Sequence, residues 1–408
     1  MLDNKKISCA ILGIFILFCM ALVFWIFAIL NDFSFNPSPF VSFKKAVIQD
    51  RIERGKDFLY RMEDPDLHGF YKYYDAPADN LEPQLHTVYS ASIIYTFLYI
   101  YDYDKDKEIL THLDDWAGFL LFMQETDKNS PRYGAFSYSY DLNTKEKEKR
   151  YVVGTSALSI FTLLRLYEIT GEQKYLDSAK IAGNWLLSMQ RPDGVFKPYT
   201  EYKDEGWVFG NDFSLLYNGQ CLSGLSKLYL ATKEEKYYLA AKKTADLFAS
   251  EYIKAGRTYV VDEYRAKNPI SNTWIAMSLM DFYKTKNQNY YKDIVFELSS
   301  QIIANQLPDG RIDGAYSTSG NGWILETMSD VYSFCLNQDE NECEKYKNAA
   351  LSIAEWLTDR TYLEEKDSFL PNPERADGGI FWNDGLKYVR TDSVCHALNG
   401  YTKIISSL

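Results

Sequence analysis

Basic charge is in short supply in this 408-residue sequence: 44 Lys and Arg stand against 56 Asp and Glu, a net charge of −12. A chain of that sign has no general attraction for phosphate backbones, so binding to nucleic acid or another anionic polymer by charge alone is excluded. Histidine is scarce, with His68, His86, His112 and His396 the full set. Cysteine is scarce too, and two of the six, Cys9 and Cys19, sit in the apolar N-terminus. Cys335 and Cys343 flank a polar turn; in an oxidising compartment they form a local disulfide, and otherwise they are two thiols. Cys221 and Cys395 lie in apolar helical contexts and read as core thiols. Period-two alternation is missing over any length beyond stretches such as Tyr259-Val260-Val261, which argues against a sheet-based fold.

What the sequence does have is a repeat. A glycine followed by an aromatic or apolar residue recurs six times: Gly69-Phe70, Gly134-Ala135-Phe136, Gly194-Val195-Phe196, Gly256-Arg257-Thr258-Tyr259, Gly310-Arg311-Ile312 and Gly379-Ile380-Phe381-Trp382. The glycines stand 65, 60, 62, 54 and 69 residues apart. Each turn follows one helical run and precedes another. The first set of runs is amphipathic, over about 43–62, 107–124, 174–190, 235–251, 291–306 and 343–358. The second set is more apolar and richer in small residues, over about 84–101, 155–170, 213–231, 271–283, 323–336 and 393–407, which marks buried helices. Six such pairs, with the turn always at the same end, predict an all-α fold: a closed (α/α)6 toroid over residues 43–408, built on one core. The loops ahead of the second set are long, as at 125–154, 191–212 and 359–392, and long loops in compact domains are usually functional.

The N-terminus stands apart. Residues 7–30 carry no charge, and as a helix they would span about 36 Å, enough to cross a bilayer. Lys5 and Lys6 precede this run and Asp32 follows it. The expected order is a cytoplasmic segment 1–6, a transmembrane anchor 7–30, a linker 31–42 containing Asn36-Pro37-Ser38-Pro39, and the toroid outside the cytoplasmic membrane. A cleaved signal peptide would have a shorter apolar core and a small-residue cleavage site, where this run closes on Phe24-Trp25-Ile26-Phe27.

Polar residues gather where the second-set helices begin, all on one rim. Glu82 precedes the first and His86 sits at its start; Asp212, Trp274 and Trp323 stand at the starts of later ones, and Glu326 lies one turn into the helix that Trp323 opens. Arg390, Asp392 and His396 open the last. Loops add Trp207, Asp313 (between Gly310 and Gly314) and Trp382. Asp212 and Asp392 are either helix caps or site carboxylates. A carboxylate such as Glu326 in an apolar helix is costly unless used or paired. The expected catalytic set is a carboxylate pair drawn from Glu326, Asp392, Asp212 and Asp313, with Glu326 the proton donor at a raised pKa. His86, Trp207, Trp274, Trp323, Trp382, Arg390 and His396 are the expected substrate contacts, the tryptophans as stacking surfaces for sugar rings. First and last helices adjoin in a closed ring, so His86 is expected to approach His396. Cys395-His396 supplies two ligands where tetrahedral zinc takes three from the protein, so no metal and no cofactor is expected.

The six hairpins, the Gln-x-x-Asp-Gly turns at Gln190–Gly194 and Gln306–Gly310, and the helix opening Gly320-Asn321-Gly322-Trp323 resemble the six-hairpin glycosidase-like superfamily. That last segment is similar to one in unsaturated-glucuronyl hydrolase relatives. The resemblance covers residues 43–408. It implies acid/base work on a poly- or oligosaccharide by carboxylates at the inner-helix rim, with hydrolysis first and elimination or uronate epimerisation as alternatives. A non-catalytic glycan-binding or assembly protein on the same toroid is the other class open to it.

Overall fold

The computed structural model describes residues 39–262, 268–338 and 340–407. The expected anchor 7–30, and the linker up to residue 38, lie outside the described residues. Among the described residues no helix is long and apolar enough to cross a membrane. The compact unit that holds the helical ring begins at Val47.

Among the described residues twelve long helices run in order: α1 (Pro39–Arg61), α2 (Thr87–Asp104), α3 (Leu113–Met123), α4 (Val153–Thr170), α5 (Gln173–Met189), α6 (Leu215–Thr232), α7 (Glu235–Lys254), α8 (Pro269–Lys286), α9 (Asn289–Ile303), α10 (Thr318–Asn337), α11 (Glu344–Thr358) and α12 (Thr391–Ile405). The helix that was to start at residue 43 begins at Pro39, inside the expected linker. The even-numbered helices form the inner ring: α2 packs on α4, α4 on α6, and so on to α10 on α12, and α12 returns to α2. The ring is closed, as the six repeats require.

The repeat has a physical cause at each turn. Gln124, Gln190 and Gln306 end three outer helices, and each Nε2 donates to the carbonyl of its own turn glycine (Gly134, Gly194, Gly310) and to a carbonyl of the next outer helix (Ser178, Ala240, Ala349). The glycine abuts that next helix. At Gly310, φ is +97° and an added Cβ would stand 2.2 Å from the Ser352 carbonyl oxygen. In five of the six turns a residue after the glycine then donates its N–H to a side chain of the coming inner helix. Phe70 and Phe136 reach Ser90 and Ser156; Phe196, Val260 and Ile312 reach Asn218, Asn272 and Asn321. One turn thus ties three helices together, which is why the pattern recurs.

The all-α expectation needs one correction. Among the described residues ten short strands stand on the long-loop rim: β1 (Tyr73–Asp75), β2 (Asn80–Leu81), β3 (Gln84–His86), β4 (Ser139–Asp141), β5 (Glu146–Lys147), β6 (Arg150–Val152), β7 (Tyr199–Lys203), β8 (Gly206–Phe209), β9 (Phe381–Asn383) and β10 (Leu386–Arg390). They make three antiparallel sheets, β2-β1-β10-β9, β3-β4-β5 and β6-β7-β8. Each sheet joins loops of neighbouring hairpins. Tyr73 pairs with Arg390, so the first and last loops close the rim as α2 and α12 close the ring. Strands of two to five residues leave no periodicity to detect. Cys335 and Cys343 form a disulfide at the end of α10, and Cys221 and Cys395 are buried free thiols.

Candidate active site

The inner helices enclose a cavity of about 760 Å³, open toward the long-loop rim. Trp274, Trp323, Trp382, Glu326, Arg390, Asp392 and His396 all line it, as do Tyr89, Tyr138 and Gln220.

Glycines allow its key contact. A Cβ on Gly322 would meet His396 Cβ at 3.1 Å, and one on Gly400 would meet the Leu325 side chain at 2.4 Å. With both absent, α10 and α12 lie close enough for Glu326 to reach three residues of α12. Its Oε2 accepts from His396 Nδ1 at 2.9 Å, and its Oε1 accepts from Asn399 at 3.2 Å and Lys403 Nζ at 3.1 Å. Lys403 also holds Asp330 at 2.7 Å. Burial pushes the Glu326 carboxyl up, but the Lys403 charge and the His396 hydrogen bond outweigh it and hold the group at about 2. Glu326 is therefore an ionised, ion-paired carboxylate. The expected raised-pKa donor is corrected: the lysine two turns beyond His396 was not counted. The helix α10 also begins at Thr318, so Glu326 lies about two turns in, deeper than expected.

His396 is partly exposed to the cavity, its ring edge-on to Trp323 at 5.0 Å. With Nδ1 on Glu326, Nε2 is the nitrogen left for a ligand. Trp323 stacks on Trp274 at 4.1 Å. Beside them, Arg390 clamps Asp392 through both Nε and Nη2, the former at 2.7 Å, and Ser319 Oγ donates to Asp392 at 2.9 Å. Burial again opposes ionisation, and Arg390 overrides it, holding Asp392 at about 2. Asp392 is not a cap. The Arg390 guanidinium lies over the Trp382 ring at 4.4 Å.

Four expected site residues stand elsewhere. Asp212 is exposed ahead of α6 and borders only a shallow dent beside Arg150; Ser214 caps the helix instead. Asp313 is exposed, its carboxylate turned back onto the Gly314 N–H at 3.0 Å. Trp207 lies on β8, under the Arg132 guanidinium at 3.6 Å. His86 ends β3, buried against Tyr89 and Tyr138 with Nε2 3.5 Å from Glu82, and does not line the cavity or meet His396. It was expected on a helix, whose start is instead Thr87.

Residues not foreseen are Tyr89, Gln220, Asn399 and Lys403. One signal was present: Asp392, His396, Asn399 and Lys403 are spaced four, three and four apart, one face of a helix. Among the described residues, no group of three or more His, Cys, Asp or Glu could hold a metal ion.

In fold the protein is an (α/α)6 toroid of six helical hairpins. A family model, glycosyl hydrolase family 76, matches residues 142–274. The structure of a cellobiose 2-epimerase from Bacillus thermoamylovorans B4167 is similar with a TM-score of 0.72 at 15% identity, covering 91% of this chain and 100% of that one. A family 76 α-mannanase from Bacteroides thetaiotaomicron is similar with a TM-score of 0.66 at 11% identity, covering 88% and 96%. An α-1,6-mannanase from Salegentibacter sp. HEL1_6, solved as an inactive variant with two consecutive aspartates changed to asparagine, gives 0.64 at 13% identity, covering 88% and 99%. No curated protein sequence matches the chain.

Proposed function

We propose that this protein is a carbohydrate-active enzyme in which His396, oriented by Glu326, moves the proton for a sugar seated in the inner-helix cavity. The observation that carries the proposal is the Glu326–His396 pair on the cavity wall. A carboxylate on Nδ1 fixes the ring's orientation and leaves Nε2 as acid or base. The family 76 match and the activities of the similar structures support a carbohydrate substrate. Hydrolysis is the first reading: His396 protonates the leaving oxygen as the glycosidic bond breaks, ionised Asp392 opposes the positive charge that grows on the ring, and a water adds to the anomeric carbon and releases its proton to solvent, from which His396 is reprotonated. Consecutive aspartates like those changed in the Salegentibacter variant occur in this sequence at Asp114-Asp115 alone, on outer helix α3.

Epimerisation or isomerisation is the second reading. It is favoured because both cavity carboxylates are ionised, leaving His396 as a group able to take a proton and return it. The test uses full-length protein in a detergent without a sugar head group. Incubation with α-1,6-mannooligosaccharides, cellobiose and uronate-containing oligosaccharides is read three ways. New reducing ends indicate hydrolysis, deuterium uptake from D2O indicates epimerisation, and unsaturated-uronate absorbance indicates elimination. Absence of all three would count against an enzyme and favour a glycan-binding protein.

We also propose that residues 7–30 anchor the protein, with the body outside the cytoplasmic membrane. The uncharged run and the Cys335–Cys343 disulfide, which suits an oxidising compartment, support this. Protease added to intact cells or spheroplasts should digest the body; protection of the body would contradict it.

A further inference from the structure

Four residues that line the cavity each carry a buried polar atom with no hydrogen-bond partner among the described residues: Thr155 Oγ1, Gln220 Oε1, Trp323 Nε1 and Asn399 Oδ1. Their residues are 1%, 6%, 5% and 5% exposed. Buried polar groups are nearly always bonded, and one left unbonded bears its full desolvation cost. Four of them around one cavity call for a polar occupant.

Their placement is ordered. In the inner ring α6 stands opposite α12, and α4 opposite α10. Gln220 on α6 therefore lies across the barrel from His396, and Thr155 on α4 lies across from Trp323. Gln220 Oε1 also sits 2.1 Å from where a Cβ on Gly154 would stand, and Gly154 itself lines the cavity. That glycine makes room for the amide. The unbonded set comprises two acceptors (Gln220, Asn399), one donor (Trp323) and one hydroxyl that is both. A polyol ring, each of whose hydroxyls donates and accepts, matches it.

We infer that Gln220 and Thr155 are specificity-determining residues, holding the hydroxyls of one sugar ring on the side of the barrel opposite His396. This rests on the carbohydrate reading above and adds which residues choose the sugar. A mismatched substrate would leave buried acceptors unpaired, the situation in which hydrogen-bonding sites discriminate most strongly.

The test titrates the full-length protein, in a detergent without a sugar head group, with mannose, glucose, cellobiose and α-1,6-mannobiose. Tryptophan fluorescence is the readout, with the Trp274–Trp323 stack as reporter, and circular dichroism checks each variant's fold. For a sugar that binds, Gln220→Leu and the isosteric Thr155→Val should each weaken binding about three- to tenfold. Gln220→Leu should also lose discrimination against the deoxy analogue lacking the contacted hydroxyl. A sugar that binds wild type and both variants equally would overturn the inference and leave the carbohydrate reading standing. Failure of all four sugars to bind wild type would overturn the inference for neutral sugars, and the turnover assays above then decide the carbohydrate reading separately.

Discussion

Glu326→Gln isolates the charge on which the site is built. The amide keeps the shape and an acceptor oxygen, but it removes the anion that faces Lys403 and His396. A carboxyl held at about 2 instead of 4.5 contributes on the order of 3 kcal/mol to stability at neutral pH. The cost falls at the low end of the roughly 3–5 kcal/mol expected for breaking a buried pair, because Lys403 keeps Asp330 at 2.7 Å. With an unfolding entropy of roughly 2 cal/mol/K per residue, the thermal midpoint should drop by about 4 °C. The pH dependence is specific. The folded carboxyl titrates below the unfolded one, so its contribution is complete above about pH 4.5 and is lost as pH falls toward 2. Asp392, held down in both proteins, cancels from the comparison. The assay is thermal unfolding of wild type and variant from pH 7 to pH 2.5. The gap should be present at pH 7 and close in acid. Equal midpoints at pH 7, or a gap unchanged down to pH 2.5, would refute the ion-pair account.

Gly310→Ala should cost about 2–4 kcal/mol, because φ there is +97° and the new Cβ meets the Ser352 carbonyl; urea unfolding checks it. Gly171→Ala, at φ +72° with open space around it, should cost less, roughly 1–2 kcal/mol from backbone strain alone. Asp212→Ala and Asp313→Ala should change stability by less than about 0.5 kcal/mol and leave turnover intact, since both side chains are exposed and off the cavity. A drop in turnover for either would return it to the site.

The toroid was legible because one local solution repeats. Gln190 to Gly194 is nearly a complete instruction: stop the helix, turn left-handed, abut the next helix. The rim sheets were not legible. Their pairing, such as Tyr73 with Arg390, joins residues over three hundred positions apart through strands too short to show a period. The cavity lining was legible by rim and residue type, which brought together Trp274, Trp323, Trp382, Glu326, Arg390, Asp392 and His396, while Trp207 lies elsewhere. The direction of each side chain was not. Asp313 looked aimed by its glycines, yet its carboxylate turns back on the Gly314 N–H. Glu326 looked like a desolvated acid because Trp323 and Met328 are its neighbours in sequence. Its ionisation is set by Lys403, 77 residues on, which only the close approach of α10 and α12 brings near.

The central claim is that His396 transfers the proton, and His396→Asn tests it most directly. Asparagine keeps a donor near Glu326 but cannot exchange a proton at Nε2. On whichever sugar the wild type turns over, the account predicts a loss of about 10²- to 10⁴-fold in turnover with the fold retained. A His396→Asn protein that folds and turns that sugar over at the wild-type rate would contradict it.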